Sequence, residues 1–314
     1  MSDTRPPSLA LRAYRFVNRP YYWYRPSQIG VRLRSKPSAD GSPQLLRTAW
    51  GSKLYCWPDS LGLAVARTGV YDLCVAETLA RLADPGETAV DAGANVGLMS
   101  NLLAHAVGAS GRVVSFEPHP LIQQTLARNV ALWAQADALD VVDLRAAAVS
   151  SAQGTLPLGV DPDTFAHNKG TASLQGAERS DSTEVPTVRL DDELPNGVDV
   201  LKLDVEMHEL QALQGARSLL SQGRIRDIVF EEHEQPPTPV TELLQSHGYT
   251  ILGVRQGLAG PIASPPGEAY VRQLWDPPAL LATIDPVRAR ARLRPRGWRC
   301  LGRALRHRGP EGHG

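Results

Sequence analysis

The amino-acid sequence predicts a mostly parallel, doubly wound α/β sheet with helices on both faces and an antiparallel hairpin at its C-terminal edge. Three observations carry this. Residues 88–97, TAVDAGANVG, read as a short buried strand breaking into a glycine turn, and residues 98–107 follow with apolar positions at helical spacing. A second strand, Arg112 to Phe116, ends in an acid, Glu117, twenty residues past Gly97. Strand and helix patterns then alternate through most of the remaining chain, as they do in sheets covered on both faces.

The 314 residues, 42% of them hydrophobic, suffice for one large domain with extensions. The expected organisation is a basic, aromatic N-terminal extension over 1–45, a body over 46–280 that opens with a hairpin over 46–68, and an Arg-rich tail over 281–314. Net charge is zero, yet residues 1–36 carry eight Lys or Arg against Asp3, and residues 286–314 carry nine Arg against Glu311. Two basic ends therefore flank an acidic body. The first end interleaves Phe16, Tyr21, Tyr22, Trp23 and Tyr24 among its arginines, which suits peripheral contact with a membrane surface as well as it suits a solvated extension. For the second end a solvated tail is preferred to a nucleic-acid surface. There is no apolar run long enough to cross a bilayer and no apolar signal core after MSDTRPPSLA, so the expected compartment is the cytoplasm. Cys56, Cys74 and Cys300 are unclustered and indicate neither a disulfide framework nor a zinc site.

In order along the body, Lys53 to Trp57 and Leu61 to Val65 flank Pro58-Asp59-Ser60 and read as the hairpin. Val70 to Leu82 reads as a helix stopped by Asp84-Pro85-Gly86. After the glycine unit come a helix over Leu121 to Trp133, a third strand near Val141 to Ala146, and a long polar segment from Ser150 to Val185 containing Asn168-Lys169-Gly170 and a hairpin. A fourth strand, Val198 to Leu203, ends at Asp204, and a helix follows from Glu206 to Gln222. A fifth, Ile225 to Phe230, ends in Glu231-Glu232-His233-Glu234. A helix over Val240 to His247 and strands over Tyr249 to Val254 and Tyr270 to Trp275 complete the body, the last two forming the edge hairpin.

The glycine unit indicates a nucleoside cofactor. Glycine accepts positive φ and lets a ligand approach bare backbone, and an acid at the tip of the second strand suits the two hydroxyls of a ribose. The turn reads D-x-G-x-N-x-G, not G-x-G-x-x-G. Asp91 would repel a pyrophosphate but could hold a cationic amino-acid moiety, directly or through water, which favours S-adenosylmethionine over a dinucleotide. Asp91, Gly93, Asn95, Gly97 and Glu117 are the candidate cofactor-binding residues. A dinucleotide-dependent oxidoreductase is the alternative within enzymes. A membrane-surface or nucleic-acid binding module with a vestigial cofactor site is the alternative outside them.

Eight stretches, GVYDLCVAETL, PGETAVDAGANVGLMS, VVSFEPHP, NKGTASL, VPTVRLDDEL, VDVLKLDVEMHELQALQGA, IVFEEHE and LLQSHGY, follow one another between Gly69 and Tyr249. In order and spacing the chain resembles the FkbM family of S-adenosylmethionine-dependent methyltransferases. The resemblance implies a Rossmann-like methyltransferase fold and methylation of an oxygen, often on a sugar or a natural product, so a small molecule or glycan is the expected substrate. One departure stands out. Where the family has D-V-E-G-A-E, this chain has Asp204-Val205-Glu206-Met207-His208-Glu209, with methionine in place of the glycine.

Methyl transfer to a hydroxyl needs a group to take the hydroxyl's proton, expected beyond the carboxyl ends of the strands. Two clusters lie there, Asp204 to Glu209 and Glu231 to Glu234. His208 or Glu232 is the expected proton acceptor, with Asp204 shaping the site, while Glu206 and Glu209 complement the dipole of the following helix. Carboxylates on neighbouring strand tips could also hold a divalent metal, though no metal site is favoured. Met207 falls in line with Leu210 and Leu213 and is expected in the core. Asn168 and Lys169 sit on a loop read equally as a lid over the substrate or as an exposed turn.

Overall fold

The computed structural model describes residues 19–27, 30, 41–174, 182–232, 234–268 and 279–302. A one-turn helix, α1 (Pro20–Tyr24), precedes a hairpin of β1 (Gln44–Arg47) and β2 (Lys53–Cys56), in which Leu45 pairs with Tyr55. The hairpin thus forms one strand earlier than expected, and Leu61 to Val65 belong to a helix, α2 (Ser60–Thr68). Asp59 explains the difference: its carboxylate accepts the N–H of Gly62 at 3.0 Å and caps the helix start. Gly69, at φ 81°, closes the other end.

Next come α3 (Leu73–Leu82), β3 (Thr88–Ala92), α4 (Leu98–Val107), β4 (Arg112–Phe116), α5 (Pro120–Ala136) and β5 (Val142–Arg145). The polar segment contributes β6 (Ala148–Val149), β7 (Gly154–Gly159), α6 (Pro162–His167) and β8 (Ser182–Val188). The chain continues through α7 (Leu190–Glu193), β9 (Val198–Leu203), α8 (Glu209–Gln214), α9 (Arg217–Ser221), β10 (Ile225–Glu231) and α10 (Pro239–Ser246). It ends with β11 (Thr250–Gly257), β12 (Gly260–Ser264), β13 (Ala279–Thr283) and α11 (Pro286–Leu293).

Among the described residues the main sheet has eight strands in the order β12-β11-β13-β10-β9-β3-β4-β5. The five strands from β10 to β5 run parallel, and β13 enters antiparallel between β10 and β11. The order reverses between β3 and β9, the crevice at which open α/β sheets bind ligands. Alternate residues feed two cores. Ala89 and Val200 pack with Leu79, Leu102, Leu103 and Trp133 on one face. Val90 and Leu201 pack with Leu213, Leu220 and Leu244 on the other. A smaller sheet, in the order β6-β8-β7, stands beside the crevice.

At the C-terminal edge the antiparallel hairpin is β11 with β12. The strand expected over Tyr270 to Trp275 lies outside the described residues. Ala279 to Thr283, assigned by sequence to the junction with the tail, are instead a wholly buried strand inside the sheet. Nor is 286–302 a solvated tail. Arg288 pairs with Asp227 at 3.0 Å and with Asp84 at 2.9 Å, and Arg81 of α3 donates to the carbonyls of Leu293, Pro295 and Gly297 at 3.3, 2.7 and 2.7 Å. The arginines of this segment satisfy carboxylates of the body and the Leu82 carbonyl at the end of α3, a use that composition alone does not reveal.

Candidate functional site

The crevice opens into a cleft of about 1190 Å³, including its mouth, above the carboxyl ends of β3, β4, β9 and β10. The glycine turn forms its floor. Gly93 has φ 78°, and a Cβ there would lie 1.8 Å from the carbonyl oxygen of Asp204, so only glycine lets the ends of β3 and β9 approach so closely. Asn95, also left-handed at φ 51°, accepts the N–H of Val96 on its own Oδ1 at 2.7 Å, the local bond that makes this conformation tolerable for asparagine. Gly97 serves packing. A Cβ on it would meet Leu126 at 2.5 Å and Trp133 at 2.6 Å, and it does not line the cleft.

Glu117, six per cent exposed, takes the N–H of Asn95 on Oε2 at 2.9 Å and the N–H of His119 on Oε1 at 2.8 Å. Each oxygen keeps one acceptor position. Burial pushes this carboxyl up to about 7 against the pull of those two N–H groups. Beside it, Pro118, Ile122 and Ala147 make an apolar stretch of wall.

Asp91 stands behind this surface. It is fully buried, accepts Ser100 Oγ at 2.6 Å, lies 3.3 Å from Lys202 Nζ, and does not line the cleft. Lys202, unnoticed in the sequence, donates to the Gly93 carbonyl at 2.8 Å and lies 3.2 Å from Asp204. Burial alone would lower its pKa, but Asp204 and Asp91 outweigh burial and raise it, so the ammonium persists. The signal was a lysine inside the apolar run VDVLKL. Asp204, Glu206, Glu231 and Asp72 also line the cleft and make it predominantly acidic. Burial, then Asp72 and Asp204, push the Glu231 carboxyl well up.

The two expected proton acceptors lie elsewhere. His208 is buried with Nε2 2.9 Å from Ser150 Oγ, and burial lowers its pKa. Glu232 accepts Thr238 Oγ1 at 2.8 Å near the start of α10. Neither lines the cleft, and His233 lies outside the described residues. For His208 the cause is the backbone of the loop after β9, where Glu206 and Met207 both adopt positive φ, 52° and 69°. Glu206 lines the cleft, His208 packs on Ser150, and Met207 is 60% exposed, not in the core.

The loop from Asp161 to Leu174 covers the cleft from above. Phe165 stacks on His119 with ring centres 4.8 Å apart, Lys169 N–H donates to Asp59 at 3.2 Å, and Ser173 Oγ donates to the Glu206 carbonyl at 2.8 Å. Asn168, Lys169 and Gly170 line the cleft, which favours the lid over the exposed turn. Among the described residues no group of three or more His, Cys, Asp or Glu is arranged to hold a metal ion, and no helix is long and apolar enough to cross a membrane.

Residues 91–251 match the family model described as the methyltransferase FkbM domain. The methyltransferase sdnD of Sordaria araneosa is 29% identical over 194 residues, covering 52% of this chain and 73% of that protein. Among solved structures, the FkbM methyltransferase of Methylobacillus flagellatus aligns with a TM-score of 0.40 and 18% identity over 70% of this chain and 52% of its own, so this chain spans about half its length. An S-adenosylmethionine-dependent O-methyltransferase of Thermotoga maritima aligns with a TM-score of 0.38 and 15% identity over 77% of each chain. The family match runs from the acid that opens the glycine turn to the strand beside β13, just over half of the chain, and the protein is therefore a member of the FkbM methyltransferase domain family.

Proposed function

We propose that the cleft binds S-adenosylmethionine and that the protein transfers its methyl group to a hydroxyl of a saccharide or secondary metabolite. The observation that carries the cofactor is Glu117, a buried carboxylate whose two oxygens are each oriented by one main-chain N–H and each keep a position for a ribose hydroxyl. The bare backbone at Gly93, the apolar wall at Pro118, Ile122 and Ala147, and the carboxylates of Asp72 and Asp204 fit the rest of a nucleoside with a cationic side arm. Glu117 and the bare backbone of the Gly93–Asn95 turn would hold it, and Asp91 would act through Lys202. When bound, the cofactor supplies a methyl group already activated on positive sulfur. The chain's own task is then mainly to hold the acceptor in line, for which near-attack geometry can contribute about 7–11 kcal/mol. The resemblance to FkbM enzymes favours an oxygen acceptor, and a cleft roofed by residues 168–174 favours a small one.

Calorimetric titration with S-adenosylmethionine tests the reading. The protein should bind it, and Glu117→Ala should weaken binding by about 1.5–3 kcal/mol, as expected for hydrogen bonds to a charged group. Ribose hydroxyls donate more strongly to the ionised carboxylate than to the neutral acid, and burial raises the Glu117 pKa to about 7. Affinity should therefore rise as pH rises through 7, with protons released on binding and measured heats that depend on the buffer. No detectable binding of this cofactor would remove the reading.

A further inference from the structure

Gly170 sits in the roof of the cleft, where a Cβ would lie 3.2 Å from Asn168 Oδ1, 3.4 Å from Asn95 Nδ2 and 3.6 Å from Glu206 Oε1. Three separate segments, the turn after β3, the lid and the loop after β9, therefore bring polar atoms around a space that any side chain at 170 would crowd. Their hydrogen-bond roles are complementary. Asn95 Oδ1 is committed to the Val96 N–H, which leaves its amide N–H₂ as the donor facing this space, while Asn168 Oδ1 already accepts the Gly170 N–H. Glu206 brings a carboxylate.

The backbone under Glu206 is a second, independent observation. Two consecutive non-glycine residues, Glu206 and Met207, hold left-handed φ, at a cost of about 1–2 kcal/mol each. Such strain persists only where the surroundings enforce it and collects at functional sites. Here Ser173 Oγ holds the Glu206 carbonyl from the lid, and Glu209 Oε1 takes the Val205 N–H at 3.0 Å from α8. Without that turn the chain would enter α8 directly.

We propose that Glu206 receives the proton of the acceptor hydroxyl, and that Asn95 Nδ2 and the bare face of Gly170 seat that hydroxyl beside it. The inference rests on the methyl-transfer reading above. In the step, the acceptor oxygen forms the new bond to the methyl carbon, the carbon–sulfur bond breaks with its electron pair retained by sulfur as a neutral thioether, and the hydroxyl proton passes to Glu206. Burial, then Asp204 and Glu209, push the Glu206 carboxyl up to about 7, with Lys202 opposing. Lys169 from the lid and Glu231 from β10 also line the cleft. A proton acceptor is most effective with its pKa near the working pH.

Three measurements test this. By calorimetry, Glu206→Gln and Gly170→Ala should bind S-adenosylmethionine within about twofold of the wild type; a tenfold loss in Glu206→Gln would make Glu206 a cofactor ligand and overturn the proposal. A wild type that does not bind at all would instead be the failure of the methyl-transfer reading. A crystal structure with S-adenosylhomocysteine should hold an ordered water in contact with both Asn95 Nδ2 and Glu206 below Gly170; cofactor atoms filling that space would overturn the proposal. In tritiated-methyl transfer to a panel of monosaccharides, polyols and phenols at saturating S-adenosylmethionine, Glu206→Gln should lower kcat roughly 100-fold or more and abolish the limb of the kcat–pH profile near 7, while Gly170→Ala should chiefly raise the acceptor KM. Retention of kcat within threefold and of the same pH limb in Glu206→Gln would overturn it.

Discussion

Lys202 donates to the Gly93 carbonyl and lies between Asp91 and Asp204, so one ammonium ties β3 to β9 at the point where the strand order reverses. Asp91 has no exposure to solvent, and its Oδ1 has no hydrogen-bond partner besides the ion pair. Removing the lysine therefore strands a buried carboxylate. Lys202→Met should cost about 3–5 kcal/mol in urea unfolding, the range for breaking one side of a buried pair. The double variant Lys202→Met with Asp91→Asn should recover part of that loss, because the uncompensated charge goes with the aspartate. A loss under about 1 kcal/mol in the single variant would mean that Asp91 is relieved some other way.

At the scale of elements, the loop after β9 sets which side chains reach the cleft, and this is where sequence and structure part. Helical spacing assigned Met207 to the core with Leu210 and Leu213, but α8 begins only at Glu209, and two left-handed residues precede it. A period of 3.6 has no meaning across such a turn. The glycine of the family pattern would have declared the turn, and the methionine concealed it. Met207→Gly should relieve about 1–2 kcal/mol of strain and lose about 0.5–1 kcal/mol to the greater entropy of unfolded glycine. The net stabilisation of up to roughly 1.5 kcal/mol should appear as a higher urea midpoint at unchanged slope; a lower midpoint would mean that the methionine side chain contributes packing that offsets its backbone. The glycine unit, Glu117 and the alternation of strands and helices were legible because each rests on local pattern: φ preference, an acid at a fixed distance, burial on both faces. The cleft-facing roles of Lys202, Glu206 and Gly170 were not, because they arise from the meeting of segments some 30 to 110 residues apart.

At the scale of the molecule, charge that looks like a basic tail is spent inside the fold. Glu77 and Arg81, both with side chains almost wholly buried, pair at 2.6 Å on α3 and together grip the C-terminal segment. Arg81 supplies four backbone carbonyls there between residues 292 and 297, and Glu77 accepts the N–H groups of Arg299 and Cys300 at 2.9 Å each. Every polar group in this knot has a partner only while all of it is assembled, so the segment from 292 to 300 folds with α3 and not apart from it. The same helix begins at Asp72, which caps it through the Val75 N–H at 2.9 Å and lines the cleft. Docking of the C-terminal segment and the shape of the cleft wall are therefore properties of one helix. Arg81→Met leaves Glu77 charged and four carbonyls unpaired, and should destabilise the protein by about 3–5 kcal/mol. Because the knot joins segments more than 200 residues apart, the loss should appear as one cooperative transition at lower urea, read alike by far-ultraviolet circular dichroism and by tryptophan fluorescence. Two separated transitions, with residues 279–302 melting first, would show that the C-terminal segment is an attachment and not part of the body.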